Sequence, residues 1–410
     1  MKAQKLLQVT LGILTSIGGF LDVGAIATAA EAGASFGFQL LWAIVLGTIC
    51  VIVLVEMSGR LAAVSKHTLV DAVRERLGFT FYILPFIAEI ATDFLVLAAE
   101  IGGVCIALQL VTGISFQWWA FPVAFAAWLL VWKGNFDAIE DGTSLLGLVT
   151  LVFVVATFKL HPNLSQLGVG LLPTLPRHDT AHYLFIAVGI LGALISPYLF
   201  YFYSSGAVEN HWTEKDLGIN RIVAGIGMSF GSLVSLGVLI VSALVLGPRG
   251  IEVDRYEQVA LVLTAPFGIW GFYLFAASLA ITCFGAIVEV TLDIGYVTAQ
   301  SFGWNWGENL RPKDAARFST LYTVFLFASA TLIAIGIDPL KLTLFTMAIT
   351  AAILPLVVFP FLILLNDESY VGQHRNGWFS NALVIGVIGV SFILAIIAIP
   401  LEIYVEVFGG

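Results

Sequence analysis

Charged residues are scarce in this sequence, at 11% of 410 residues, whereas hydrophobic residues make up 59% and the mean hydropathy is +0.99. Soluble domains carry roughly one quarter charged residues, and they cannot bury this much apolar surface. The composition therefore excludes an ordinary soluble protein. Apolar runs of about 20 residues, the length of a helix that crosses a bilayer, recur along the whole sequence. We expect an all-α polytopic membrane protein.

Cysteine is also scarce, and Cys50, Cys105 and Cys283 lie inside apolar runs without CxxC spacing. They are expected to pack as small apolar side chains, which excludes a disulfide framework or a thiolate metal site. HExxH, Walker A and GxSxG motifs are absent from the sequence, so we expect neither an enzyme nor an ATP-driven pump, and no cofactor. The basic residues form no stripe or tail, so we expect no nucleic-acid partner, and no obligate protein partner is evident.

Counting apolar runs predicts eleven spanning helices. If the N-terminus is cytoplasmic, all but five of the 18 Lys and Arg residues fall on the cytoplasmic side, as the positive-inside rule requires. This predicts a cell-membrane protein with its N-terminus inside and its C-terminus outside. The polar segment from Lys66 to Gly78 is predicted to be a short amphipathic helix or loop on the cytoplasmic face. The predicted spans lie near residues 8–31, 36–58, 80–112, 115–133, 143–160, 182–208, 218–247, 266–300, 317–336, 341–366 and 381–408.

Two predicted spans contain helix breakers at the depth of the membrane centre. The first, GGFLDVGAIATAAEAG, carries Asp22 between glycines, and the sixth, GALISPYLFYFYSSG, carries Pro197 beside Ser196. Proline removes a backbone donor, and glycine tolerates unwound backbone. Such backbone survives in a membrane only where protein buries it or where it lines a hydrated cavity. Matched breaks in the first helix of each half are typical of inverted-repeat transporters that bind their substrate near the midplane.

Acidic residues inside the spans are a second signal. Asp22 costs about 2.5–3.5 kcal/mol at the membrane centre, and because its span has no Lys or Arg, a bound cation is its natural partner. A protonated aspartate bonded to a neighbouring helix is the alternative. Glu31 and Glu56 lie near span ends, where we expect them to be solvated. Other acids lie at helical spacing, which suits an ion or proton relay or a structural polar network: Glu89, Asp93 and Glu100 in the third span, and Glu289 and Asp293 in the eighth.

Four segments resemble the Nramp family of divalent-metal transporters. GGFLDVGAIATAAEAGASFGFQLLW is similar to its first-helix region, whose signature is DPGN, an apolar residue and AT, and AVGILGALISPYLFYFYSSGAVE is similar to its sixth helix, which carries MPH. AEIATDFLVLAAEIGGVCIALQL resembles the acidic third helix, and ILPLVVFPFLILLND resembles the end of the tenth. The resemblance implies a LeuT-type fold of two inverted five-helix repeats plus an eleventh helix. The implied division is 1–160, a connecting extracellular loop at 161–181, 182–366, and 367–410.

The motifs depart from the family where the chemistry of the metal is decided. Asp22 and Gly24 keep the aspartate and glycine of DPGN, but Val23 replaces its proline and Ala25 its asparagine, and Ser196 stands where the family has methionine. The lost thioether is a soft ligand that suits transition metals, whereas sites built only from oxygen favour hard ions. The resemblance therefore implies the magnesium-related branch, with a partly hydrated Mg²⁺ as substrate and Mn²⁺ or Ca²⁺ as further candidates.

Proton coupling is expected to differ from the family as well. Tyr198 replaces the family's histidine and does not titrate near neutral pH. Leu97 replaces the aspartate of the family's DLAE motif, although Glu100 keeps its glutamate and Asp93 lies one turn before Leu97. A proton relay is therefore broken or rerouted.

These observations predict a midplane cation site and a possible relay. Asp22 and Ser196 are the predicted metal ligands. The predicted substrate-binding residues are Asp22, Gly24, Ala25, Leu194, Ser196 and Tyr198, and the predicted relay residues are Asp93, Glu100, Glu289 and Asp293.

Three alternatives stay open from the sequence. A transporter of an organic cation on the same fold would use Asp22 with Tyr198, Tyr201 and Tyr203 as an aromatic wall. A non-transporting membrane sensor is the second alternative. A manganese or iron importer is the third, if Met347, which falls near the family's tenth-helix glutamine, reaches the site.

Overall fold

The computed structural model describes residues 22–133, 147–176, 179–307 and 310–408. The regular elements in these ranges are all helical, as the composition predicted. We number the α-helices in chain order. Their bounds are α1 Val23–Phe36, α2 Leu41–Ser65, α3 Leu69–Leu77, α4 Phe79–Thr112, α5 Phe116–Lys133, α6 Val152–Leu160, α7 Leu164–Gly170, α8 Thr180–Leu194, α9 Pro197–Glu209, α10 Leu217–Val245, α11 Tyr256–Phe267, α12 Ile269–Phe302, α13 Ala316–Ala334, α14 Pro339–Asn366, α15 Glu368–Val371 and α16 Trp378–Phe408.

Eight helical segments in the described ranges are long and apolar enough to cross a membrane. They correspond to the second, third and sixth to eleventh predicted spans, with α8 and α9 together forming the sixth. The fourth predicted span coincides with the 18-residue helix α5, which is not one of these eight segments. The first and fifth predicted spans lie partly outside the described residues, and their described parts are the helices α1 and α6. The chain is therefore a multi-pass membrane protein.

Two predicted connectors contain short helices. The polar segment after α2 forms α3, which starts after the N-cap Thr68 and ends at Gly78, where φ is +80°. The prediction of a short helix in this segment is confirmed. The predicted loop between the two halves contains the short helix α7.

The eighth predicted span starts a few residues later than expected. Gly268, with φ at +62°, separates its helix α12 from the preceding helix α11.

The sixth predicted span is broken in the middle, as its proline indicated. α8 ends at Leu194, Ser196 has extended backbone, and α9 starts at Pro197. Proline is favoured at the first position of a helix, because its fixed φ suits that position and no N–H is needed there. The same missing N–H leaves the carbonyl of Ala193, four residues earlier, without its helical donor. In the first predicted span, the residues before Asp22 lie outside the described ranges, and Asp22 itself caps α1 with extended backbone.

The long helices form two packed groups. α1, α2, α8, α9 and α10 pack together in the first group, and α4, α5, α12 and α13 form the second. α14 contacts α8 of the first group and α4 of the second, and it also packs on α16. The two groups therefore meet around α1, α4, α8 and α14.

A histidine joins three helices of the bundle. His182 of α8 places Nε2 3.0 Å from Glu31 of α1 and Nδ1 2.9 Å from Glu402 of α16. Glu31 is only 5% exposed, so the expectation that it would be solvated was wrong. The packing of α8 against α1 brings a polar ring to this carboxylate, which spacing along the sequence does not indicate.

Glycine allows α8 to lie directly against the backbone of α14. A Cβ atom at Gly192 would lie 1.9 Å from the carbonyl oxygen of Met347. The obstacle is main chain, which cannot rotate away as a side chain can. Small residues at helix interfaces allow this close approach in membranes, and Gly192 therefore sets the distance between these two helices.

We expect Gly192→Ala to destabilise the protein by about 1–3 kcal/mol, because the added methyl group overpacks a rigid contact. The measurement is the melting temperature of the purified protein in detergent. Gly206→Ala is the matched control, since no atom lies within 4 Å of its added Cβ. Equal melting temperatures for the two variants would contradict the close approach at Gly192.

Candidate functional site

Asp22 is held at the start of α1 by a backbone hydrogen bond. Its Oδ1 accepts from the N–H of Ala25 at 2.7 Å, as an N-cap side chain does. The residue is 2% exposed, and its Oδ2 has no hydrogen-bond partner among the described residues. One carboxylate oxygen is therefore fixed in place while the other is free to bind a ligand.

A second carboxylate reaches the same helix end from α4. Glu100 accepts a hydrogen bond from the N–H of Val23 through Oε1 at 2.9 Å. Its Oε2 is buried and, within the described residues, has no hydrogen-bond partner. Gly103 allows this approach, since a Cβ there would lie 2.4 Å from the sulfur of Cys283 and 3.0 Å from Val23. Glu100, predicted as a relay residue, thus lies beside Asp22. The sequence singled it out as an acid inside an apolar span that keeps the family's glutamate, but did not indicate this position.

Ser196 lies at the break between α8 and α9 and is completely buried. Its hydroxyl is within hydrogen-bond distance of the carbonyl of Gly192 at 3.2 Å and of Ala193 at 3.4 Å. The second of these carbonyls is the one that Pro197 leaves without a helical donor. Because a hydroxyl donates one hydrogen and keeps two lone pairs, its oxygen can still bind a cation.

The predicted backbone ligands lie at the same helix ends. The carbonyl of Gly24 accepts from the hydroxyl of Thr28 at 2.7 Å, and it is also the helical acceptor for the backbone N–H of the same residue. Ala25 and Leu194 line a crevice between the first-group helices that is too narrow for a water molecule.

The three tyrosines of α9 do not form one aromatic wall. Tyr198 is buried and close enough to Asp22 to interact with its charge. Tyr201 lies near carboxylates of α4 and α12, and Tyr203 packs edge-on against Trp212 with ring centroids 5.7 Å apart. Tyr203 therefore does not take part in the aromatic wall that the organic-cation alternative requires.

Met347 lies against the start of α1. A Cβ at Gly24 would be 2.5 Å from both the sulfur and the terminal methyl carbon of Met347, which is fully buried. The thioether therefore occupies the place that a side chain at position 24 would take, next to Asp22. The sequence left this contact open, because α14 is far from α1 along the chain.

The remaining predicted relay residues separate from Glu100. Asp93 of α4 and Asp293 of α12 lie together with Glu89, and one carboxylate oxygen of each is within 4.8 Å of the others. Glu289, one turn before Asp293, is not a member of this group. The structure thus divides the predicted row of acids between two places, because Glu100 lies eleven residues, or about 16 Å of helix, beyond Glu89.

We expect the effects of Gly24→Ala and Met347→Ala on stability to be coupled. Each change alone is destabilising, the first through overlap with the thioether and the second through a cavity. The double variant removes the overlap and fills part of the cavity. Its loss of stability should therefore be smaller, by about 0.5–3 kcal/mol, than the sum of the losses in the two single variants. Melting temperatures of the four proteins measure this coupling, and strict additivity would contradict the contact.

Comparison with known proteins places this arrangement in a family. The sequence matches the profile of Nramp, natural resistance-associated macrophage protein-like, over residues 12–400. The structure is similar to the Eremococcus coleocola manganese transporter in complex with an aromatic bis-isothiourea substituted compound, with a TM-score of 0.79 and 19% identity, covering 97% of this chain and 87% of that one.

Two further structures share the fold at lower similarity. MhsT in complex with L-phenylalanine has a TM-score of 0.63 and 14% identity, covering 95% of this chain and 98% of that one. The second structure is MHP1, a nucleobase-cation-symport-1 family transporter, in a closed conformation with bromovinylhydantoin bound. Its TM-score is 0.61 at 13% identity, and the match covers 96% of this chain and 92% of that one. These likenesses confirm the predicted LeuT-type fold.

The family match also decides the class of protein. Members of this family are transporters and not enzymes, which confirms the predicted class and leaves the sensor alternative without support. Since the profile covers almost the whole length, this chain belongs to the Nramp family and is a multi-pass membrane transporter of metal ions.

Proposed function

We propose that this protein carries a hard divalent cation across the cell membrane, with Mg²⁺ as the first candidate and Mn²⁺ or Ca²⁺ as further ones. The observation that carries this proposal is the pair of buried oxygens, Asp22 Oδ2 and Glu100 Oε2, that have no hydrogen-bond partner among the described residues. Both carboxylates are anchored at the start of α1. Two such charges at membrane depth are stabilised by a cation bound beside them.

The proposed ligands are oxygen atoms. Asp22 and the hydroxyl of Ser196 bind the ion directly, and backbone carbonyls at the two helix ends complete the site. Mg²⁺ dehydrates reluctantly and usually keeps several waters, so it needs only one or two carboxylates from the protein. The proposed substrate site comprises Asp22, Gly24, Ala25, Leu194, Ser196 and Tyr198.

Transport is proposed to occur by alternating access. The site lies at the start of α1 and at the break between α8 and α9, where the two helix groups meet. In inverted-repeat transporters one bundle rocks against the other around such a site. The proposed repeats are 1–160 and 182–366, joined by the loop 161–181 and followed by 367–410, with the N-terminus in the cytoplasm and the C-terminus outside.

Glu100 is the proposed link between the cation site and a proton relay. Its carboxylate shares the start of α1 with Asp22. The other relay candidates are Asp93, Glu289 and Asp293. Asp93 lies seven residues before Glu100 on α4, about 10 Å along the helix, so proton transfer between them needs an intermediate group or water.

Manganese is a second candidate substrate because of Met347. Its sulfur lies against Gly24, beside the proposed ion. A thioether is a soft ligand, which favours a transition metal over Mg²⁺. The similar Eremococcus coleocola protein is a manganese transporter, which adds to the support for this candidate.

We expect Asp22→Asn to lower divalent-cation uptake at least tenfold. Asparagine keeps the N-cap hydrogen bond to Ala25 but removes the charge that binds the ion. The measurement is fluorescence-monitored uptake of Mg²⁺ and Mn²⁺ into proteoliposomes, with and without a pH gradient. Asp254→Asn is the control, because Asp254 is an exposed loop residue. Undiminished uptake by Asp22→Asn would show that the site lies elsewhere.

We expect Met347→Leu to lower Mn²⁺ uptake relative to Mg²⁺ uptake. The two side chains have similar volumes, so the change removes the sulfur with little effect on packing. A loss of about 1.4 kcal/mol in Mn²⁺ binding would appear as a tenfold change in the ratio of the two apparent affinities. An unchanged ratio would rule out the sulfur as a determinant of selectivity.

A further inference from the structure

Three buried acids form a group away from the site at Asp22. Glu89 and Asp93 lie one turn apart on α4, and Asp293 faces them from α12. One oxygen of each carboxylate lies within 4.8 Å of the other two, and the residues are at most 1% exposed. The group, which we call the inner acidic cluster, is therefore closed off from bulk water.

The oxygens of this cluster have few partners. Both oxygens of Glu89, both of Asp293 and one of Asp93 have no hydrogen-bond partner among the described residues. Glu89 is the clearest member, because its whole carboxylate is buried without a donor. Buried carboxylates in proteins are normally paired with a cation or with several donors. Asp93 and Asp293 face each other closely enough to share a proton, so the Glu89 carboxylate is the group that points to a ligand.

Basic side chains do not supply this partner within the described residues. No ion pair there involves Glu89, Asp93 or Asp293. Arg74 of α3 reaches the C-terminal end of α12, where it donates to the carbonyls of Gln300 and Ser301 at 2.7 and 2.9 Å. No basic side chain of the described residues is therefore available to balance these carboxylates when they are ionised.

The geometry suits one small cation. Hard divalent ions bind carboxylate oxygens at about 2.0–2.6 Å, so oxygens that share an ion lie within about 5 Å of one another. The three oxygens of the cluster satisfy this limit. A row of hard oxygens without sulfur or imidazole selects Mg²⁺, Ca²⁺ or Mn²⁺. Helices α4 and α12 pack along their length, which holds the ligands on rigid elements.

We propose that Glu89, Asp93 and Asp293 form a second site for a hard divalent cation, separate from the site at Asp22. Glu89 and Glu100 are eleven residues apart on α4, about 16 Å along the helix, so one ion cannot contact both places. The second site binds its own ion, and the proposal goes beyond the transport role assigned to Asp22.

The test is the number of Mn²⁺ ions bound by the purified full-length protein, measured by equilibrium dialysis with electron paramagnetic resonance of free Mn²⁺. We expect two ions per wild-type chain and one in Asp293→Asn and in Glu89→Gln. The control is Asp254→Asn, which removes a carboxylate from an exposed loop outside the cluster, and it should keep two. Loss of an ion in Asp254→Asn equal to that in Asp293→Asn would overturn ligation by the cluster.

Asp22→Asn separates this proposal from the proposed function. One ion in wild type and none in Asp22→Asn would overturn the second site, and the cluster would then hold shared protons. Two ions in Asp22→Asn with one in Asp293→Asn would support the second site and refute the site at Asp22.

A measurement on the wild type guards against variants that fail to fold. Anomalous diffraction at the manganese edge, from crystals soaked in Mn²⁺, should show a peak among the three carboxylates of the inner acidic cluster. The absence of this peak would overturn the proposal.

Discussion

A helix that begins inside a membrane leaves backbone N–H groups that water cannot satisfy, and the site in this protein follows from that constraint. At the start of α1 the carboxylates of Asp22 and Glu100 accept these hydrogen bonds. The positive end of the helix dipole stabilises both anions. Each still has one buried oxygen without a partner in the described chain, so the same two groups that complete the helix also form the proposed cation site.

Close approach of helices determines which side chains reach this place. Glycines at the interfaces bring α14 close to α1 and α8, and α12 close to α4. The contact at Gly192 is with main chain, so it sets the spacing of α8 and α14. The contact at Gly24 is with the flexible side chain of Met347, and it brings a thioether close to Asp22. The packing of α14 and the proposed role of Met347 in ion selectivity are therefore linked.

The fold could be predicted because its signals are local. Long apolar runs predict the membrane-spanning helices. Pro197 breaks the sixth span whatever the neighbouring helices are, because the missing N–H is a covalent property of proline. Asp22 could be singled out because a charge in an apolar run has a cost that needs a partner. Glu100 could be identified from the sequence as a candidate functional acid. Its hydrogen bond to the N–H of Val23 could not be predicted, because the two residues are 77 positions apart in the chain.

The sequence by itself determined the membrane class, the number and order of most spans, the break before Pro197 and the identity of the buried acids other than Glu31, because hydropathy, proline geometry and charge are properties of single residues and short windows. Only the tertiary structure decided that Glu100 belongs with Asp22, that Glu89 and Asp93 belong with Asp293, and that Met347 lies on Gly24. The physical reason is that a helix presents side chains around its whole circumference, and the neighbouring helices select which of them meet.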